Sequence, residues 1–104
     1  MKDLQKTMNY IDKRYVFNAE TYPDLELTTR DEKFDFGVRH SVLHMQKSLG
    51  KIAEYSEGRD HGELGSKKEV KIATVKMLIN ILKLASIQGM NADDLLKLVP
   101  KVMV

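Results

Sequence analysis

Five polar side chains recur at helical spacing in the middle of the sequence: His40, His44, Lys47, Lys51 and Glu54. Successive steps of four, three, four and three residues place all five on one stripe of an α-helix. Two histidines four residues apart can ligate a metal, but this pair lacks the glutamate of an H-E-x-x-H motif, so no metal site is expected. The stripe is predicted to lie opposite the apolar face of its helix, where charged residues are commonly just solvated.

A second polar stripe, formed by Lys76, Asn80 and Lys83, crosses an otherwise apolar segment further along the chain. Lysines on such a helix can simply extend their charged ends into water. The alternative is that Lys76 and Asn80 line a cleft, where an ammonium and an amide could hold a phosphate. Asp60 and His61 could supply a base. Because neighbours in sequence seldom face each other, we expect them to form a turn that folds over a ligand. No catalytic residue is predicted.

The helices that carry these stripes are predicted from the periodicity of apolar residues. A short amphipathic first helix is indicated by Leu4, Met8, Ile11 and Tyr15. Residues 18–30 are predicted to form a loop with a turn at Tyr22-Pro23-Asp24. A long second helix is predicted from Asp31 to about Glu57. Its buried face is assigned to Val42, Met45, Leu49, Ile52 and Ala53.

The second half of the chain contains signals for two further helices. Residues 58–65 include three glycines and are predicted to be a loop. Ser66 to Glu69 matches a capping box, which predicts a third helix up to about Gln88, ended by Gly89. Apolar residues cover most of this helix, so it is predicted to be the central and most buried one. A last short helix, capped by Asn91, Asp93 and Asp94, is expected to end near Pro100.

The composition sets the class of protein. The chain has 104 residues, 42% of them hydrophobic and 31% charged, which is typical of one globular domain. We predict a single all-α domain of three to four helices, residues 1–104, with an N-terminal helix and loop (1–30) and a bundle core (31–104). The net charge of +2 predicts neither a membrane nor a specific nucleic-acid partner. Cysteine is absent, and no secretory signal or membrane span is visible, so we expect a soluble cytoplasmic protein.

Three segments in this order resemble a known family. They are LHMQKSLGKIAE at 43–54, VKMLINILKLA at 75–85 and GMN at 89–91. Their order and spacing resemble the MazG-like nucleotide pyrophosphohydrolases, in which a helix with a Glu-Glu-x-Gly-Glu-Leu core precedes a second helix with Glu-x-x-Asp and a Gly-Ile-Asp-like turn. The resemblance covers residues 36–98 and rests on spacing and glycines. It implies an all-α bundle completed by oligomerisation.

The acidic residues of that family are missing from this chain. By position, the family's first pair of acids corresponds to Ser48 and Lys51, and its second pair to Ala73 and Lys76. In the family these acids hold Mg²⁺, which supports cleavage of a triphosphate between its α and β phosphates. Magnesium requires hard oxygen ligands, which a lysine or an alanine cannot provide. The resemblance therefore implies lost catalysis, with fixed positive charges about where the cation would lie.

These observations lead to a hypothesis of a catalytically degenerate MazG-like protein that binds a nucleotide or another phosphorylated small molecule without a cofactor. The candidate ligand-binding residues are His44, Lys47, Ser48, Lys51, Lys76 and Asn80, with Asp60 and His61 as loop contributors. One alternative is an active, Mg²⁺-dependent nucleoside triphosphate pyrophosphohydrolase with relocated ligands, drawn from Glu54, Glu57, Asp60, His61, Glu63 and Glu69. Another is a non-enzymatic helical interaction module. The resemblance also implies a homo-oligomer, a dimer or tetramer.

Overall fold

A computed structural model describes residues 2–16, 20, 22 and 29–103 of the chain. These residues form four helices and no strand: α1 (Lys2–Arg14), α2 (Arg30–Asp60), α3 (Lys67–Ile87) and α4 (Ala92–Val102). The prediction of an all-α chain of three to four helices is confirmed. Within the described ranges, no helix is long and apolar enough to cross a membrane. Pro23 and Asp24 of the predicted turn lie outside the described residues, as does most of the loop predicted at 18–30.

Side-chain capping interactions set the starts of α2, α3 and α4. The side chain of Thr29 accepts a hydrogen bond from the Glu32 N–H, and the Glu32 carboxylate accepts one from the Thr29 N–H, each at 3.1 Å. Asn91 and Asp94 form the same reciprocal pair at 2.9 Å, as predicted for the start of the last helix. Ser66 accepts from the Glu69 N–H at 3.3 Å, so the predicted start of the third helix is also confirmed.

Two helices extend slightly past their predicted ends, α2 by three residues and α4 by two. α2 continues through Gly58, Arg59 and Asp60 and turns at Gly62, whose φ of +78° is easily reached only by glycine. A glycine inside a helix is tolerated at a cost of about 1 kcal/mol, so Gly58 does not end it. α4 passes through Pro100 to Val102. Pro100 lies in the last turn of the helix, where the lack of an N–H in proline removes one backbone hydrogen bond. Gly89, with φ +77°, follows α3 as predicted.

The apolar core joins α1, α3 and α4. Its buried members are Met8, Ile11, Leu82, Ala85 and Ala92. The Ala92 N–H also donates to the side-chain oxygen of Gln5 at 2.8 Å, which fixes the start of α4 against α1. The N-terminal helix therefore packs onto α3 and α4 of its own chain.

α2 and α3 form a helical hairpin whose contact surface differs from the predicted one. The buried residues of α2 are Phe36, Gly37, Ser41 and Ser48. Of the predicted apolar face, Leu49 is 55% exposed, and Val42 and Ala53 are also exposed. Met45 and Ile52 are partly buried. Neighbouring residues on a helix point about 100° apart, so Ser41 and Ser48 face a different direction from Val42 and Leu49. Small side chains let two helices approach closely, and α3 packs against the seam formed by Ser41 and Ser48.

α3 occupies the central position that was predicted for it, because it contacts both α1 and α2. It is less buried than expected. Ala73, Leu82 and Ala85 are buried, whereas Val75 and Leu78 are about half exposed. α1 covers only the part of α3 near Leu82 and Ala85, so the apolar residues nearer the start of α3 remain uncovered.

Candidate functional site

A cleft of about 440 Å³ lies between α2 and α3. α2 contributes His40, His44, Lys47, Ser48 and Lys51. α3 contributes Glu69, Ile72, Ala73, Lys76, Ile79, Asn80 and Lys83. Tyr15, just after α1, and Tyr22 also line it. The cleft therefore combines four lysines and two histidines with an apolar and aromatic wall.

The structure brings together six of the eight predicted site residues. His44, Lys47, Ser48, Lys51, Lys76 and Asn80 all line the cleft. Asp60 and His61 do not line it: both are exposed and lie at the C-terminal end of α2, where the His61 N–H bonds the Glu57 carbonyl oxygen at 3.2 Å. The expectation that this turn folds over the site is therefore wrong. Helical geometry explains the difference, because the turn lies more than two turns beyond Lys51 along α2.

The polar stripe of α2 borders the buried seam instead of lying opposite it. Ser48 is 6% exposed and lies within the seam, and His44 and Lys51 are one helical turn away from it on the cleft side. The periodicity of Val42 and Leu49 predicts the opposite side, because it places the buried face on those residues. The packing of α3 against the serines turns the stripe toward the cleft.

The cleft carries an excess of positive charge. Lys51 is 3.8 Å from the Glu54 carboxylate, and both side chains are largely exposed, so this pair contributes little. Lys83 is 3.4 Å from the Asp12 carboxylate of α1 and is only 12% exposed. Within the described residues, Lys47 and Lys76 have no carboxylate partner within 4.0 Å. Two of the four cleft lysines are therefore available to an anion.

The neutral polar groups of the cleft are partly engaged. The Asn80 side-chain amide donates to the Lys76 carbonyl oxygen at 2.8 Å, one turn earlier in the same helix. One amide N–H and the amide oxygen are left for other partners. Ser48 places a hydroxyl in the wall of the cleft. The prediction that Asn80 lies beside Lys76 in a cleft agrees with this geometry.

Two histidines and a tyrosine form a cluster where α2 first meets the cleft. The Nε2 atoms of His40 and His44 are 3.0 Å apart, and the Tyr22 hydroxyl is 3.3 Å from His40 Nε2. Burial, and secondly the nearby His44, lower the pKa of His40 from its usual value. His40 is therefore neutral at neutral pH. A hydrogen bond between two Nε2 atoms also requires that one of them carries a proton and the other does not.

Several lining residues were missed by the sequence reasoning. His40 and Lys83 belong to the two predicted stripes, so their spacing was a signal that could have placed them in the site. Glu69 was recognised only as a cap residue. Tyr15 belongs to the apolar periodicity of the first helix, which predicts that it packs against another element but not which one. Tyr22 lies in the predicted turn, where no periodicity indicates the surface it contacts.

The residues of the cleft do not fit Mg²⁺, which the resemblance implies for active members. Among the described residues that line the cleft, Glu69 is the one carboxylate, against four ammonium groups. Magnesium is bound through carboxylates and phosphates in near-octahedral oxygen geometry. No group of three or more His, Cys, Asp or Glu side chains that could hold a metal ion occurs among the residues the structure describes. The arrangement suits a negatively charged ligand better than a hard cation.

Comparison of the chain with protein-family models, with curated proteins and with solved structures gives no match.

Proposed function

We propose that this chain is a catalytically degenerate MazG-like protein that binds a nucleotide or another phosphorylated small molecule in the α2–α3 cleft without a metal. One observation carries the proposal. The four positions that correspond to the family's acids, Ser48, Lys51, Ala73 and Lys76, all line this cleft. In each helix the two positions are three residues apart and so lie on one face, and the α2–α3 hairpin brings the two faces to one cleft.

The electrostatics of the cleft support an anionic ligand. One ammonium and one phosphate charge about 4 Å apart attract by about 1 kcal/mol in bulk water and about 4 kcal/mol near a protein surface. Lys47 and Lys76 make no ion pair with the described residues, so an anion would not have to displace a carboxylate from them. Lys51, with its exposed partner Glu54, adds a third charge at little cost.

The remaining walls of the cleft support an organic group on that anion. Ile72 and Ile79 provide apolar surface, and Tyr15 and Tyr22 provide aromatic rings. The flat base of a nucleotide can pack on such rings while its phosphates contact the lysine ammonium groups. This combination favours a nucleotide over inorganic phosphate.

Calorimetric titration of the tag-free protein, with thermal unfolding in parallel, tests the proposal. We expect nucleoside triphosphates to bind and raise the Tm without Mg²⁺, and the matching nucleoside without phosphates to bind far more weakly. Lys76→Gln should weaken binding about tenfold, as the loss of one close charge pair of roughly 1.4 kcal/mol predicts. Lys71→Gln, an exposed substitution on the same helix outside the cleft, should leave the affinity unchanged.

Three results would oppose the proposal. They are no stabilisation by any nucleotide, stabilisation only when Mg²⁺ is present, and equal losses in the Lys76 and Lys71 variants. The second result would favour the metal-dependent hydrolase. Of the relocated ligands considered for that hydrolase, Glu69 is the one that lines the cleft. Release of pyrophosphate that Glu69→Gln abolishes would establish that alternative.

We also propose that the chain assembles into a homo-oligomer, a dimer or tetramer, as the resemblance implies. The half-exposed apolar side chains of Val75 and Leu78 on α3 support this, because a second copy could cover them. Sedimentation equilibrium is the direct measurement. A monomer at all concentrations would contradict both the oligomer and this part of the resemblance. A monomer that captures a different protein would favour the interaction module.

A further inference from the structure

The cluster of Tyr22, His40 and His44 brings three donor atoms to one place at the edge of the cleft. His40 Nε2 is 3.0 Å from His44 Nε2 and 3.3 Å from the Tyr22 hydroxyl oxygen. The function proposed above uses neither His40 nor Tyr22 as an anion ligand. The cluster therefore requires its own explanation.

The two distances from His40 Nε2, 3.0 Å to His44 Nε2 and 3.3 Å to the Tyr22 hydroxyl oxygen, fall in the range of ligand separations around one metal ion. Zinc–nitrogen bonds are about 2.0–2.1 Å long, so two ligands of a tetrahedral zinc ion lie about 3.3 Å apart. In a square-planar site of the same bond length they would lie about 2.9 Å apart. We infer that His40 and His44 form a binding site for Zn²⁺, with the Tyr22 hydroxyl as a third ligand and water completing the coordination.

The chemistry of the donors selects the class of ion. Neutral imidazole nitrogens suit zinc and the neighbouring transition metals, whereas Mg²⁺ prefers oxygen. This site is therefore distinct from the magnesium site that the resemblance implies, which lies at other residues.

Packing around the pair holds the donors in place before a metal arrives. Phe36, one turn before His40, contacts the His40 ring with a centroid distance of 5.1 Å. The Tyr22 ring meets the edges of both, at 4.9 Å from Phe36 and 5.4 Å from His40. Both histidines stand on a continuous helix at a separation of one turn. Rigid placement of this kind reduces the entropy that a metal ion must overcome on binding.

Lys47 opposes the binding of a cation, and this gives the proposal a distinctive signature. It lies one turn from His44 and lines the same cleft. Removing its charge should strengthen zinc binding and weaken phosphate binding. The two proposals therefore predict opposite effects of Lys47→Gln, so the failure of one is distinguishable from the failure of the other.

Titration of the tag-free protein with Zn²⁺ in competition with a chromophoric chelator, and with Co²⁺ for its absorption spectrum, tests the inference. We expect each protein chain to bind one Zn²⁺ ion. Bound Co²⁺ should give the absorption spectrum of a tetrahedral complex. Changes to outer partners of a metal site cost about 10–100-fold in affinity, so loss of a direct ligand in His44→Gln or His40→Ala should cost at least that. Tyr22→Phe should weaken binding by a smaller factor.

The third histidine of the chain is the matched control. His61 is exposed at the end of α2 and does not line the cleft, so His61→Gln should bind Zn²⁺ as the unmodified protein does. His44 is exposed, so His44→Gln is expected to fold normally even if His40→Ala does not. The inference is overturned if the unmodified protein binds no Zn²⁺. It is equally overturned if His44→Gln retains full affinity, or if His61→Gln loses as much as His44→Gln.

Discussion

Asp12→Asn is a single substitution that should lower stability and strengthen ligand binding at the same time. Asp12 on α1 lies 3.4 Å from the Lys83 ammonium on α3, across 71 positions of sequence. The pair connects the N-terminal helix to the wall of the cleft. Asparagine keeps the size of the side chain and removes one negative charge, so the effects are mainly electrostatic.

The geometry sets the expected size of the loss in stability. At 3.4 Å, two unit charges attract by about 1 kcal/mol in bulk water and about 5 kcal/mol at an effective dielectric constant of about 20. Lys83 is 12% exposed, but Asp12 is 37% exposed, so solvent screening reduces the upper figure. We expect Asp12→Asn to lower the free energy of unfolding by about 1–2 kcal/mol, or the Tm by roughly 5–10 °C.

The same change should favour an anion in the cleft. Lys83 lines the cleft, and Asp12 offsets its charge. One charge about 6–8 Å from a phosphate contributes roughly 0.5–1 kcal/mol in water-like surroundings, which corresponds to about two- to fivefold tighter binding. This gain depends on the proposed function, whereas the loss of stability does not.

Urea unfolding and calorimetric titration with a nucleoside triphosphate measure the two effects separately. Asp35→Asn is the matched control, because it removes one charge from an exposed side chain outside the cleft. It should change neither quantity by more than about 0.5 kcal/mol. Stability equal to that of the unmodified protein would refute the role given to the Asp12–Lys83 pair. Weaker nucleotide binding by a folded Asp12→Asn would refute the electrostatic account of the cleft.

Three further substitutions or conditions test the fold. The Ser41 hydroxyl is fully buried and has no hydrogen-bond partner among the described residues, so Ser41→Ala should raise the free energy of unfolding by about 1 kcal/mol in urea. A loss would mean that the hydroxyl is bonded in solution. Met8 is 1% exposed in the core, and Met8→Ala should lower the free energy of unfolding in urea by about 2–5 kcal/mol. A loss below about 1 kcal/mol would be evidence against the packing of α1. Because the pKa of His40 is lowered on folding, the unfolded chain binds more protons. Stability should therefore fall as the pH drops below 6.5 in metal-free buffer, and His40→Asn should flatten this dependence.

Local signals in the sequence were sufficient for much of the fold. Ser66 and Asn91 accept hydrogen bonds from the first turns of α3 and α4, and Gly89 adopts a positive φ after α3, as their types predict. These interactions join residues within about five positions of one another, so the local sequence is sufficient to predict where the helices begin and end. The capping pair Thr29 and Glu32 was present in the same form but was not recognised.

Part of the cleft could also be predicted. Periodicity placed two lysines and two histidines of the second helix on one stripe, and Lys76 and Asn80 on another, and these residues do line one cleft. What periodicity could not provide was the rotation of each helix about its axis. α2 has an apolar strip through Val42 and Leu49 and a small-residue strip through Ser41 and Ser48, and only packing against α3 selects between them.

The sequence by itself determined four helices, most of their ends and the stripes of charge along them, because each depends on residues within a turn or two of one another. The tertiary structure decided which stripes face each other and which distant residues join them. The contact of Asp12 with Lys83 joins residues 71 positions apart, and the contact of Tyr22 with His40 joins residues 18 positions apart. Such contacts depend on packing between segments far apart in the chain, which no local pattern encodes.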